Sequence, residues 1–253
     1  MAGPIPKSWM PNASMRRIHI HWTAGGHKAN STDKKAYHVL VEGDGKLVRG
    51  KFTIADNERP VRGKYAAHTA KANTGAIGIS LCCMAGARER PFDPGNHPMT
   101  EDQWETALKA IAQLAERYNI MITPETILTH AEVEPNLHIK QKNKWDITRL
   151  AFDDDVQGHK EVGDLMRSRV AAILDETDDD PEEIPEEMKL PRYRVVDVAP
   201  SRLNFRDGPS GTKKGSLPER SVVERIAVVG NWWQVRTRAG FVGWVFSKFL
   251  TPV

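Results

Sequence analysis

Two histidines and one aspartate are the residues whose types and positions point most directly to chemistry. His21 lies near the end of the alternating run RRIHIHW, His130 follows the apolar residues ILT, and Asp146 ends the segment KNKWD. Catalytic zinc sites use three protein ligands of these types and leave a fourth position for water. Water held in this way becomes a nucleophile near neutral pH. The sequence therefore predicts a Zn²⁺ triad at His21, His130 and Asp146.

Lys144 and His19 lie beside these candidate ligands in the sequence. Lys144 precedes Asp146 by two residues, so its positive charge is expected near the same centre, where it would stabilise an oxyanion. The alternative is that Lys144 belongs to a solvated basic surface cluster with Lys140 and Lys142. His19 shares the strand face of His21, because alternate strand residues point to the same side. It is expected either to flank the site or to be packed as a structural histidine.

The elements that must position these residues follow from breakers and hydrophobic periodicity. The segment from Thr100 to Tyr118 predicts a helix, with Thr100 and Gln103 spaced as a capping box. The other predicted elements are a strand that ends near His21, a strand from Ala36 to Val41 with a turn and a return strand to Arg49, an apolar central strand from Ile77 to Met84, and a last helix from about Val156 to Leu174. This order predicts an α/β unit, a mixed β-sheet flanked by helices.

Four separated segments resemble the zinc-dependent N-acetylmuramoyl-L-alanine amidases, the family of phage endolysins and peptidoglycan recognition proteins. The resemblance covers roughly residues 15–174, and its segments are IHWTAGG, AYHVLVEGDGKLVRG, HTAKANTGAIGISL, and THAEVEPN followed by KWD. It implies the amidase/peptidoglycan-recognition fold. It also implies cleavage of the amide bond between the lactyl group of N-acetylmuramic acid and L-alanine of the stem peptide.

The resemblance also implies residue roles. Zn²⁺ is placed on His21, His130 and Asp146, with Tyr37 and Lys144 in the catalytic roles. Some members that use an aspartate ligand carry a glutamate in the strand IGISL, where this chain has Ser80, and this difference moves the acid/base role towards Tyr37. The structural alternative for Tyr37 is a half-buried strand tyrosine without a role in chemistry.

Substrate contact is expected from a loop that precedes the central strand. The resemblance places His68 and Asn73 along the substrate groove, and His19 is the third candidate in this region. The adjacent Cys82 and Cys83 point to opposite faces of a strand, so they are expected to be buried and unbridged.

Charge and residue composition divide the 253 residues into three predicted parts. Residues 1–174 form the catalytic domain, 175–190 an acidic linker and 191–253 a small β-rich domain. Residues 175–188 contain nine acids and no base, with almost no apolar side chain, so this segment cannot form a core of its own. Self-repulsion of the acids is expected to keep the linker extended.

The last part resembles a bacterial SH3-like domain, a small all-β barrel, over about residues 192–253. The matching segments are LNFRDGPS, GSLPERSVVERIAVVGNWWQVRT and GFVGWVFSKFL. Its 11 bases and 4 acids predict attraction to anionic polymers of the cell wall. Trp232 and Trp244 are candidate ligand contacts, although barrel tryptophans also serve as core. Basic charge with aromatic residues suits nucleic acid as well, but attachment to an amidase-like region favours peptidoglycan as the partner and argues against nucleic acid.

Composition and segment length set the remaining expectations. No apolar stretch reaches the roughly 20 residues of a membrane span, and the segment MAGPIPKSWMPNASMRR lacks the apolar centre of a secretory signal. Synthesis in the cytoplasm, followed by release or secretion to the wall, is therefore expected, as in a phage or prophage endolysin. The alternatives are a non-catalytic peptidoglycan-binding recognition protein, and an amidase that serves as an antibacterial effector or in host wall remodelling.

Overall fold

The computed structural model describes residues 3–59, 61, 63–176, 190–237 and 241–253. They form two compact units, which comprise most of residues 3–167 and of residues 168–253. The domain boundaries predicted from the sequence stay a prediction, and most of the predicted acidic linker, residues 177–189, lies outside the described residues. Within the described part of the chain, no helix combines the length and apolar character needed to cross a membrane.

A five-stranded mixed sheet forms the centre of the first unit, as predicted. Its strands are β1 (Arg17–Trp22), β2 (Val39–Val41), β3 (Leu47–Arg49), β4 (Ala76–Leu81) and β5 (Ile127–Thr129). They lie in the order β3-β2-β4-β1-β5, and only the β2–β3 pair is antiparallel. Strand β4 is central and buried along its whole length, as its continuous apolar sequence predicts. Cys82 and Cys83 follow it, both buried and unbridged.

Four α-helices and a short ribbon complete the description of this part of the chain. They are α1 (Asp33–Ala36), α2 (Glu101–Arg117), α3 (His130–Leu137), α4 (His159–Glu176), β6 (Arg149–Leu150) and β7 (Asp153–Gln157). Short 3₁₀ turns occur at Lys7–Trp9 and Ile54–Asn57. The strands β6 and β7 pair with each other and not with the main sheet.

Helix α2 shows how the sequence pattern becomes packing. The predicted capping box is present, because Thr100 Oγ1 accepts from the backbone N–H of Gln103 at 3.1 Å and Gln103 Oε1 accepts from that of Thr100 at 3.1 Å. Gln103 Nε2 also donates to the carbonyls of Val41 and Cys82, which ties the helix to the sheet. The side predicted to be apolar is buried and comprises Trp104, Ala107, Leu108, Ile111 and Ala115.

Three predicted element bounds are wrong. The central strand predicted to end at Met84 ends at Leu81. The strand predicted from Ala36 begins only at Val39, because Asn30 Oδ1 accepts from the N–H groups of Thr32 (2.8 Å) and Asp33 (3.0 Å) and starts the helical turn α1. Tyr37 is consequently the residue that ends α1 and not a strand residue. The last helix begins at His159 instead of Val156, since residues 153–157 extend as β7.

The second unit contains an all-β sheet of seven strands. They are β8 (Arg192–Val195), β9 (Leu203–Arg206), β10 (Lys213–Leu217), β11 (Val222–Val229), β12 (Trp232–Thr237), β13 (Val242–Phe246) and β14 (Leu250–Pro252). The order is β10-β9-β13-β12-β11-β8-β14, and all neighbours are antiparallel. The buried core consists of Val195, Val198, Leu203, Phe205, Val223, Val235 and Val245. Trp232, Trp233 and Trp244 are only half-buried.

Candidate active site

The parallel strands of the first unit bring two of the candidate ligands to one edge of the sheet. Strand β1 lies between β4 and β5 and runs parallel to both, so the carboxyl ends of the three strands meet. His21 lies near the end of β1, and His130 is the first residue of α3, directly after β5. Ligand sites in α/β sheets are commonly built at this edge.

Asp146 reaches the same place from the loop that follows α3. Its carbonyl accepts from the backbone N–H of Ala131, in the first turn of α3, at 2.6 Å. The preceding residue, Trp145, packs edge-to-face on Trp22 of β1 with ring centroids 4.7 Å apart. The loop is therefore attached to both elements that carry the histidines.

The three side chains converge on one point. His21 Nδ1 lies 3.0 Å from His130 Nδ1 and 3.1 Å from Asp146 Oδ2, and His130 Nδ1 lies 3.0 Å from the same oxygen. All three residues are buried. In a tetrahedral zinc site, bonds of about 2.0–2.1 Å place ligand atoms roughly 3.3 Å apart. The donor set and its spacing therefore fit a divalent metal ion.

The electrostatics of the three groups also suit a metal. Burial lowers the pKa of His21 to about 4, against the opposing effect of Asp146. Burial by itself would raise the pKa of Asp146, but its close contacts with His130 and His21, at 3.0 and 3.1 Å, outweigh burial and leave that pKa lowered. At neutral pH His21 is thus a neutral imidazole and Asp146 a carboxylate, the protonation states in which these groups bind metals.

Tyr37 and Lys144 lie around this cluster. The Tyr37 ring is tilted against that of His21, with centroids 5.2 Å apart. The pKa of Tyr37 is raised, first by burial and then by the charge of Asp146, so its phenol keeps its proton at neutral pH. Lys144 is exposed, and its charge lies close enough to contribute to the lowered pKa of His21. Ser80 pairs with His21 in the β1–β4 register and is fully buried.

The residues expected to touch substrate are placed differently. His19 is fully buried and His68 is 7% exposed, so little of either side chain is accessible. Asn73 Oδ1 accepts from the backbone N–H groups of His68 (3.0 Å) and Thr69 (2.9 Å), and it therefore shapes its own loop. Substrate contact by His19 and His68 stays a prediction, and their enclosure by the sheet and this loop argues against it.

Sequence reasoning missed two polar residues that touch the histidines. Thr69 Oγ1 lies 3.3 Å from His21 Nε2, and Gln141 Oε1 lies 3.0 Å from His130 Nε2. Both residues are buried, at 0% and 4% exposure. Thr69 directly follows His68 in the segment HTAKAN, so a motif reading that stopped at the histidine passed over it.

Comparison with known families agrees with this geometry. Residues 11–149 match the family model of N-acetylmuramoyl-L-alanine amidase, and residues 201–251 match that of the bacterial SH3 domain. The first match covers more than half of the 253 residues. The chain belongs to the N-acetylmuramoyl-L-alanine amidase family. As a member of this family it is a peptidoglycan amidase, an enzyme that acts on the cell wall.

Solved structures similar to the amidase have low sequence identity. The amidase LysC from Clostridium intestinale is 17% identical with a TM-score of 0.31, over 55% of this chain and 95% of that chain. AmiD from E. coli is 17% identical with a TM-score of 0.34, over 48% and 50%. Drosophila peptidoglycan recognition protein SA is 13% identical with a TM-score of 0.36, over 58% and 82%. Curated proteins give no match. The family assignment therefore depends on the sequence match.

Proposed function

We propose that this amidase is a zinc enzyme whose metal ligands are His21 Nδ1, His130 Nδ1 and Asp146 Oδ2. The observation that supports the proposal is the buried triangle of these atoms, with sides of 3.0–3.1 Å. When bound there, zinc supplies the Lewis acidity that makes water a nucleophile near neutral pH. The family match to the amidases supports the same reading.

The chain's own groups then act on the substrate amide. Water adds to the lactyl carbonyl carbon, the C–N bond to L-alanine breaks, and the alanine nitrogen leaves with a proton, so the products are a lactyl carboxylate and a free amino group. Tyr37, held protonated beside His21, donates a hydrogen bond to the reacting oxygen. Lys144, exposed at the site, places a positive charge where the oxyanion develops.

A non-catalytic recognition protein is the alternative within the same family. Relatives that only bind peptidoglycan typically lack the complete metal set. Here the two histidines and the aspartate are all present, with their candidate ligand atoms 3.0–3.1 Å apart. This arrangement favours catalysis over binding alone.

The second unit supports action on the intact wall. A cleft of about 410 Å³ on this unit is lined partly by Trp232, Phe246 and Phe249, together with Arg202 and Arg206. The Arg206 guanidinium lies 5.8 Å from the centroid of the Trp232 ring. An aromatic wall beside cationic groups suits the mixed apolar and anionic surface of the sacculus. We therefore propose an endolysin-type enzyme in which this unit holds the wall. Trp244 lies outside the set of residues that line the cleft.

Replacement of the ligands tests the metal and the reaction together. His21→Ala and Asp146→Ala are each expected to lose zinc content and release of stem peptides in parallel. Zinc is measured by elemental analysis, and digested sacculi are analysed by mass spectrometry for peptides that begin with L-alanine. His159→Ala, which removes an exposed histidine, is the matched control. Full zinc content and full peptide release by His21→Ala would refute the proposal.

A further inference from the structure

We infer that Thr69 and Gln141 are positioning residues that fix the protonation pattern of the two histidine ligands, so that both present a bare Nδ1 to the metal. This inference rests on the proposed zinc site. Each imidazole has two nitrogens, and in the neutral ring only one carries hydrogen. A ligand nitrogen must be the bare one, and the hydrogen bond at the other nitrogen decides which that is.

For His130 the partner is Gln141. The Gln141 amide nitrogen donates to the carbonyls of Ala70 at 2.9 Å and Ile139 at 3.2 Å, so the amide oxygen must face the histidine. That oxygen lies 3.0 Å from His130 Nε2. An amide oxygen only accepts, so Nε2 carries the hydrogen and Nδ1 is left bare towards Asp146. The Gln141 backbone N–H is itself held by Glu134 Oε2 at 2.8 Å.

For His21 the partner is Thr69, whose hydroxyl touches three histidines. Its Oγ1 lies 2.8 Å from His68 Nδ1, 2.9 Å from His19 Nδ1 and 3.3 Å from His21 Nε2. The backbone N–H of Thr69 is fixed by Asn73, so the hydroxyl is held in place among the rings. Each of these rings is buried, and burial favours the neutral form.

The hydrogen positions on Thr69 and its three histidine partners can be assigned step by step, beginning with His68. His68 Nε2 faces the carbonyl oxygen of Ala76 at 3.4 Å, which only accepts, so Nε2 carries the hydrogen and Nδ1 accepts. The Thr69 hydroxyl then donates its one hydrogen to His68 Nδ1. Its lone pairs remain to accept from His19 Nδ1 and His21 Nε2. His21 therefore carries its hydrogen on Nε2 and presents a bare Nδ1 to His130 and Asp146.

The contacts made by Thr69 and Gln141 are independent and have the same effect on the two ligand histidines. Thr69 and Gln141 act on different histidines from different loops, and each leaves the nitrogen that faces the other ligands free. Partners of this kind orient metal-bound histidines and raise their basicity, and their loss typically weakens metal affinity by about 10–100-fold. His19 and His68, enclosed in the same group, serve this pattern and not substrate contact.

Zinc affinity of the full chain tests the inference. Thr69→Val and Gln141→Met remove the acceptor atoms at nearly constant volume, and each is expected to weaken zinc binding by about 10–100-fold in competition with a chelator. Thr69→Ser keeps the hydroxyl acceptor and is expected to stay close to the native affinity. The inference is overturned if the Val and Met variants bind zinc as tightly as the native chain.

A matched control separates positioning from general damage. Gln103 is also a buried glutamine whose amide donates to two backbone carbonyls, at 3.0 and 2.9 Å, but these belong to Val41 in β2 and to Cys82 just after β4. Gln103→Met is expected to lower the melting temperature of the metal-free protein and to leave zinc affinity unchanged. If Gln103→Met weakens zinc binding as much as Gln141→Met does, the effect is loss of packing and the inference falls.

A second measurement reads the hydrogen positions directly. Long-range ¹H–¹⁵N NMR spectra of the zinc-loaded protein report which nitrogen of each histidine carries hydrogen. The zinc-loaded form is used because Asp146 Oδ2, 3.1 and 3.0 Å from the Nδ1 atoms of His21 and His130, competes for their hydrogen when the metal is absent. We expect His21 and His130 in the Nε2–H form. Hydrogen on Nδ1 of either ring in the native chain would overturn the inference. Absence of zinc binding by the native chain would instead count against the proposed function.

Discussion

The fold holds Tyr37 and Lys144 in different ways, and this decides how each is tested. Tyr37 is half-buried and its ring packs against that of His21, which restricts the phenol. Lys144 is exposed on the loop that leads to Asp146, so its ammonium can follow a bound substrate. A fixed donor and a mobile cation should respond differently to removal of the polar atom alone.

Tyr37→Phe keeps the ring and removes only the phenol oxygen. We expect unchanged zinc content and a fall in kcat on the order of 10², the usual size for a lost proton donor in the transition state. Steady-state kinetics on a soluble muropeptide measure it. Tyr118→Phe, which removes a phenol bonded to the carbonyl of Pro11, is the control and should leave kcat unchanged. If Tyr37→Phe has the same kcat as the native chain, Tyr37 contributes only to packing.

Lys144→Ala removes the charge proposed to face the oxyanion. The expected result is retained zinc and a loss of kcat by roughly 10²–10³, because the interaction forms mainly in the transition state. Lys142→Ala takes away another exposed charge from the same loop and is expected to have little effect. Equal losses in the two variants, or a change in KM alone, would mean that Lys144 only attracts or binds the substrate.

At the scale of elements, the start of α3 is fixed by a buried ion pair. Arg167 of α4 donates to both carboxylate oxygens of Glu132, at 2.8 and 3.1 Å, and to the carbonyl of Ile127 at 2.9 Å. Glu132 in turn accepts from the backbone N–H of Thr129, the residue before His130. A side chain at Gly163 would overlap the Glu132 carboxylate, so the close approach of α4 requires glycine there.

Arg167→Met leaves the Glu132 charge buried without its partner. We expect a loss of about 3–5 kcal/mol in the free energy of unfolding, measured by urea denaturation of the metal-free protein. Lys160→Ala breaks the exposed pair with Asp164 on the same helix, and it should cost at most about 1 kcal/mol. Similar small losses in both variants would show that the buried pair contributes no more than a surface one.

The elements that could be predicted are those whose pattern is local. The alternation that leads to His21, the apolar run of β4 and the capping box of α2 all depend on neighbours within a few residues. Thr69 and Gln141 could not be found in this way. Their histidine partners lie 48 and 11 positions away, and isolated polar residues in loops carry no periodic signal. From the sequence alone, Arg167 resembles a surface residue. Only the fold shows that it pairs with Glu132 in the interior.

At the scale of the whole molecule, charge alternates along the chain. Residues 1–174 carry a net charge of +4, residues 175–188 carry −9, and residues 190–253 carry +7. The acidic segment separates two basic regions. In the proposed function, both basic regions would be attracted to an anionic wall polymer. Attraction of this kind weakens with salt, because the Debye length falls from about 10 Å at 0.1 M to about 3 Å at 1 M.

Deletion of residues 190–253 tests the division of labour. We expect weaker binding to whole sacculi and unchanged hydrolysis of small soluble muropeptides, measured by co-sedimentation and by peptide release.

Trp232→Ala in the full chain should also weaken binding to sacculi and spare muropeptide hydrolysis, but to a smaller extent. Val242→Ala, at an exposed position on the neighbouring strand, should change neither. Binding of the full chain should also fall with added salt more steeply than that of the shortened chain. Equal losses on sacculi and on muropeptides would instead show that the β-rich unit supports the catalytic fold. A unit that only binds the polymer should not affect hydrolysis of a small soluble muropeptide.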